Sequence, residues 1–158
     1  MQFIDVPEIT KRHIFECFHP NSGTIILLHI DVRYCQVMIL FNNDILVIRS
    51  IDLVLNAESE NSDWEEVAME IQRSMDYANN IFGRQTQPKL YVLPLKEDLS
   101  RGMNYLAADL GLNVKDINFS TKIDYFKEYS IVAQEPYVLG VGQFIKESII
   151  VESANAVN

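Results

Sequence analysis

No run in this chain approaches the roughly 18 apolar residues that a membrane span requires, so direct membrane insertion is not expected. Basic residues are scarce as well: 13 Lys and Arg stand against 22 Asp and Glu, for a formal net charge of −9. Affinity for nucleic acid is mostly phosphate neutralisation by Lys and Arg, so no nucleic-acid partner is expected, while protein partners stay open. Cysteine is limited to Cys17 and Cys35, both in apolar surroundings without CxxC spacing or a nearby His pair. That pattern offers neither a zinc site nor a disulfide framework, and two buried, reduced thiols of a cytoplasmic protein are the expectation. The three histidines, His13, His19 and His29, include no pair at the i, i+4 spacing of a helical metal site. The opening "MQFIDVPEITKRHIF" has no basic stretch followed by a long apolar one and does not read as a signal peptide.

What the chain does have is core. Of its 158 residues 48% are hydrophobic, enough for one well-filled domain. After a short extended piece at Phe3, Ile4 and Val6 stopped by Pro7, "EITKRHIFECF" places Ile9, Ile14 and Phe18 at helical spacing. Thr24 to Asp31 is a nearly continuous apolar run of strand length, which predicts a central strand buried on both faces, with His29 a core histidine. Tyr34 to Phe41 and Ile45 to Ser50 are rich in β-formers, and the Asn42-Asn43-Asp44 between them tolerates the backbone of a tight turn, so three strands meander.

A capping box at Ser62 and Glu65 then predicts a long helix, with Trp64, Val67, Ala68, Ile71, Met75, Ala78 and Phe82 as its apolar stripe and Gly83 as its stop. Leu90 to Leu93 reads as a short buried strand ended by Pro94. Leu99, Met103, Leu106, Ala107 and Leu110 form a second helical stripe closed by Gly111. Val114 to Phe119 predicts a fifth strand, and Pro136 fits the first position of a last helix through about Lys146. Right-handed crossovers set Leu90 to Leu93 beside the first strand. The predicted fold class is α/β: a mixed five-stranded sheet of a three-stranded meander plus two parallel strands, flanked by helices, as in the ribonuclease H-like layer and one half of the actin-like ATPase fold.

In order along the chain, "IDVPEI", "LLHIDVRYCQVMILFNNDILVIRSIDL", "EIQRSMDYANNIFG", "LYVLPL", "YLAADLGLNVKDINF" and "EPYVLGVGQFIKE" resemble the pattern of the MshI family, proteins of mannose-sensitive haemagglutinin pilus biogenesis, and their wider PilM-type relatives. The resemblance runs from about residue 3 to residue 147, and its best local match is "RSMDY", Arg73 to Tyr77. It implies the C-terminal half of an actin-like domain. Residues 1–18 would be a crossover strand and helix ending the first half, residues 19–150 the ribonuclease H-like domain, and residues 151–158 a disordered tail. It further implies a scaffold on the cytoplasmic side of a pilus or secretion platform, peripheral to the inner membrane and docked there to a partner of PilN type. In such relatives the docked peptide lies in a cleft made mainly by the other half. Helix-mediated homodimerisation stays open.

Whether the actin-like half still grips a nucleotide is a steric question. The second phosphate loop of such ATPases sets Gly within two residues of an Asp, so that backbone amides approach the phosphate. Here Asp31 is followed by Val32, Arg33, Tyr34 and Cys35. A β-branched Val and a bulky Tyr resist that approach, although Arg33 supplies charge. At the adenosine side Pro94 and Leu95 stand where paired glycines would: Pro has no amide to offer and Leu adds bulk. Both clamps read as degenerate, and the expectation is a non-catalytic module with no cofactor and no metal.

Two alternatives are kept: an ATP-binding switch once its other half is restored, and a metal nuclease using Asp31, Glu70 or Asp76, and Asp98, against which the acidic surface argues. Ser74 and Ser100 lack a Gly-x-Ser-x-Gly elbow. Gly140 and Gly142 follow the start of a predicted helix, not a strand, and read as close packing. Arg73 and Asp76, three residues apart and off the apolar stripe, are placed to pair with each other; with Tyr77 they form a candidate interface point. Tyr105, Tyr125, Phe126 and Tyr129 are further aromatics in excess of one core's needs.

Overall fold

The computed structural model describes residues 7–18, 23–31, 33–83, 88–94, 98–123, 127–128, 134, 138 and 140–141. Expectations for the extended piece at Phe3 to Val6, for Leu95, for Tyr125, Phe126 and Tyr129, for most of the last helix and for the tail fall outside these residues.

Helix α1 (Pro7–Phe18) leads into strand β1 (Thr24–Ile30), which is buried along its whole length. Strands β2 (Cys35–Phe41) and β3 (Asp44–Ile51) complete the meander. The turn between them is built on Asn42 (φ 48°) and Asn43 (φ 71°), both in the left-handed region that asparagine tolerates best among residues with a Cβ. Helix α2 (Asn61–Phe82), strand β4 (Lys89–Val92), helix α3 (Ser100–Leu110) and strand β5 (Val114–Asp116) follow. The sheet order is β3-β2-β1-β4-β5, with β1 to β3 antiparallel and β4 and β5 parallel to β1. That is the expected mixed sheet.

Strand alternation sorts the core into two faces. Ile26, Leu28, Val37, Ile39, Leu90 and Val92 pack beneath α2 and α3, against Trp64, Val67, Ile71 and Leu106. Ile25, Leu27, Met38, Leu40, Tyr91 and Leu93 face α1, where Ile14, Phe15 and Phe18 meet them. Between Ile39 and Leu40 the β2–β3 register shifts: Val47 pairs with Ile39 and Ile45 with Leu40, so Leu46 is an extra, bulged residue. The bulge sends Ile45 to the α1 face while Leu46 and Val47 both serve the α2 face.

Several boundaries move. Helix α2 starts before Ser62: its N-cap is Glu60, whose amide donates to the Asp63 carboxylate at 3.0 Å. Asp63 therefore does what Glu65 was expected to do, because a carboxylate three residues after the cap reaches back more directly than one five residues on. The stripe ends sooner too. Phe82 is exposed, along with Tyr77 and Ile81, whereas Ser74 is fully buried in the helix middle. The fifth ladder stops at Asp116; Ile117 still donates to the Val92 carbonyl at 2.8 Å, and Phe119–Thr121 forms a 3₁₀ turn capped by the Asn118 side chain. In α1 the exposed Ile9 is not a core residue, and Lys11 is. Cys35 is buried as expected, but Cys17 is only half-buried.

Candidate functional site at the first hairpin

Two-residue turns need their closing pair held, and here the Asp31 amide donates to the Tyr34 carbonyl at 2.9 Å. Arg33 is exposed at the tip, and Asp31 is half-buried beside it. Tyr34 does not lie open over the turn. Its ring folds back on the α1 face, 6.1 Å from the His29 ring at an edge-on 78° and 5.7 Å from the Lys11 ammonium.

Behind Tyr34 the structure assembles a polar chain that sequence reasoning missed. Lys11 Nζ donates to Gln36 Oε1 at 2.7 Å, and Gln36 Nε2 donates to Glu8 Oε1 at 3.0 Å and to Ser50 Oγ at 3.4 Å. Helix α1 supplies Glu8 and Lys11 three residues apart on one face. Strands β2 and β3 supply Gln36 and Ser50, which are ladder partners. The signal available in sequence was a glutamine breaking the apolar run of a buried strand, since a buried amide needs partners.

Burial drives the electrostatics. It pushes the Lys11 ammonium down to about 8, against the opposing pull of Glu8, Asp31 and Cys35. It pushes His29 down to about 4, helped by Lys11 and opposed by Asp31, so the imidazole is neutral at pH 7, as the reading of a core histidine requires. The Cys35 thiol is pushed up to about 12 and is inert. Glu8 is held below the usual carboxylate range, first by the hydrogen bond from Gln36. An open cleft of about 380 Å³ borders the cluster, lined by Glu8, Arg33, Tyr34, Gln36, Ser50 and Asp52.

The parallel register of β1 and β4 places Asp31 and Pro94 at one end of the sheet. Ile25 pairs with Lys89 and Leu28 with Val92, so Asp31 and the buried Pro94 follow neighbouring strand ends. Ligands of open α/β sheets sit in this region, past the carboxyl ends of the strands. Asp116 joins it from β5, its carboxyl raised first by local burial and then by the charge of Asp98. The proposed nuclease set does not assemble. Glu70 instead pairs with Arg49 at 3.3 Å and with Arg73 at 3.6 Å; Asp76 accepts from Gln72 at 3.0 Å; Asp98 accepts from the Ser100 amide at 2.9 Å. Among the described residues no group of three or more His, Cys, Asp or Glu is placed to hold a metal ion.

The expected Arg73–Asp76 pair is thus replaced by Arg73–Glu70, because the helix turns Glu70 toward β3 where Arg49 also reaches it. Tyr77 is exposed, with the Arg49 guanidinium 5.8 Å from its ring centroid. Tyr105 is half-buried against the core under α2. No helix among the described residues is long and apolar enough to cross a membrane.

No family model and no curated protein matches the chain. Among solved structures it is similar to one described as a PilM-PilN type IV pilus biogenesis complex, with a TM-score of 0.60 at 14% identity over 89% of this chain and 51% of that one. It is also similar to a Bacteroides thetaiotaomicron protein with actin-like ATPase fold and unknown function (TM-score 0.49, 13% identity, 75% of this chain and 41% of that one). A third is the PPX-GPPA enzyme of Aquifex aeolicus (TM-score 0.41, 11% identity, 60% and 36%). At such identity the first likeness is one of fold, and with the sheet order it bears out the actin-like, ribonuclease H-like class. The chain spans about half the length of the chain it matches in the pilus complex.

Proposed function

We propose that this chain is a non-catalytic assembly module of a type IV pilus biogenesis platform, of the mannose-sensitive haemagglutinin kind, docking to an inner-membrane component of PilN type from the cytoplasmic side. The observation that carries this reading is what fills the first hairpin. A phosphate-gripping turn must offer bare backbone amides and room for an anion. Here Arg33 stands exposed at the tip, the Tyr34 ring lies against the Lys11 ammonium, and Lys11 is committed to Gln36. Pro94, buried at the neighbouring strand end, has no amide to give. Similarity of fold to a pilus biogenesis complex supports the setting, and the PilN-type partner is inferred by that analogy.

Titration of the full-length protein with magnesium ATP, followed by thermal unfolding, is expected to leave Tm flat; a Tm that climbs with nucleotide overturns the non-catalytic reading. Fluorescence anisotropy with the labelled cytoplasmic peptide of the PilN-type protein encoded by the same organism is expected to show saturable binding. Its absence overturns the docking partner.

A further inference from the structure

We propose that the free edge of β3 is a docking strand for an extended partner segment that carries a basic residue four positions from an apolar one. The proposal goes beyond the pilus reading and does not depend on it. Among the described residues the sheet order leaves β3 at one edge, with alternate backbone N–H and C=O groups directed away from β2. Beyond the bulge at Leu46 the strand is regular: Val47, Ile48, Arg49, Ser50 and Ile51 pair in unbroken register with Ile39 to Cys35. Five residues in register suffice for a partner strand to add by main-chain hydrogen bonds, with side-chain pockets setting specificity.

The α1 face of that edge carries a defined pattern. Ile48 is 42% exposed, an apolar group at an edge that lacks the Lys or Pro commonly used to blunt one. Two residues on, Ser50 gives way to the cleft, and two further on Asp52 stands exposed at its rim. Glu8, which accepts from Gln36 Nε2, lines the same cleft and adds a second carboxylate to it. Arg33 is the one cation lining the cleft, against the two carboxylates, and among the described residues it forms no ion pair with either. A strand laid along β3 therefore places an apolar side chain opposite Ile48 and, four residues away, a Lys or Arg at Asp52 and Glu8.

A second copy of this chain fits poorly. Each copy brings a net charge of −9, so two copies laid edge to edge repel one another. The carboxylates of Glu8 and Asp52 beside the edge admit a basic guest.

The test uses a blocked, fluorescein-labelled peptide of threonines with Val and Arg four positions apart, read by fluorescence polarisation at low salt, with backbone protection read by hydrogen exchange. Saturable binding is expected, with added protection of Val47 to Ile51. Ile48→Lys and Asp52→Lys, both at exposed positions, are each expected to weaken it by about tenfold or more. The peptide with Glu in place of Arg should bind Asp52→Lys better than the parent. Absence of binding, indifference to both substitutions, failure of the charge swap, or protection outside β3 overturns the proposal. A concentration-dependent dimer by light scattering that Ile48→Lys abolishes assigns the edge to a second copy instead and equally overturns it.

Discussion

The Lys11 ammonium donates to the Gln36 side-chain carbonyl at 2.7 Å where the lysine has no exposure at all and the glutamine 3%. A charged group is therefore held by a neutral acceptor inside the α1–sheet interface. Its lowered pKa sets the sign of a pH effect. Folded Lys11 titrates at about 8 and an unfolded lysine at 10.5, so between these values the unfolded chain binds more protons and stability rises with pH. The Cys35 thiol, raised from 9 to about 12, acts the other way above pH 9, which leaves pH 8 to 9 as the clean window. Urea unfolding at pH 8 and 9 is expected to show wild type gaining about 1 kcal/mol more than Lys11→Met. Equal slopes refute the buried charge.

His29 gives the matching effect on the acid side. Its folded pKa is about 4 against 6.5 unfolded, so the stability of the neutral, buried imidazole is present above pH 6.5 and is lost as pH falls toward 4. Its Nδ1 has no hydrogen-bond partner among the described residues, which makes a hydrocarbon replacement acceptable. His29→Leu should flatten the acid limb between pH 6.5 and 5 by about 1–2 kcal/mol in chemical denaturation. If the wild-type and variant curves stay parallel, the imidazole is not buried as described.

Gly102 lies where α3 meets α2, and a Cβ built there falls on the Trp64 ring. Helix propensity alone says that Gly→Ala stabilises by about 1 kcal/mol. Overpacking against a buried indole outweighs it, so Gly102→Ala is expected to destabilise by about 1–3 kcal/mol and lower Tm. The second substitution Trp64→Leu should recover part of the clash, a non-additivity that a double-mutant cycle reads directly.

On the outer face of α2 the same kind of cycle separates two pairings. Arg73 and Glu70 are expected to couple by a few tenths of a kcal/mol, as exposed i, i+3 pairs do, and Arg73 with Asp76 not at all. A larger Arg73–Asp76 coupling would contradict the geometry.

How far sequence could go follows from what each signal is made of. Apolar periodicity depends only on neighbours a few residues away. It was enough for β1, for the Asn42-Asn43 turn, for α2 through Ala78 and for the adjacency of β4 and β1, because burying those stripes admits few arrangements. Chain-local signals failed where partners lie far apart. Nothing within α1 indicates that Lys11 is buried, since its acceptor is Gln36, 25 residues away. Nothing in α2 indicates that Arg73 would meet a Glu70 already drawn to Arg49 of β3. The sequence alone determined the mixed α/β layer, the absence of glycine from the Asp31-Val32-Arg33-Tyr34 and Pro94-Leu95 stretches and the acidic balance, since each is a property of residue type and spacing. Tertiary structure alone decided which polar groups share the space behind Asp31, which edge is left free and what charge stands beside it, because desolvation and ion pairing act through distances in space that spacing along the chain does not encode.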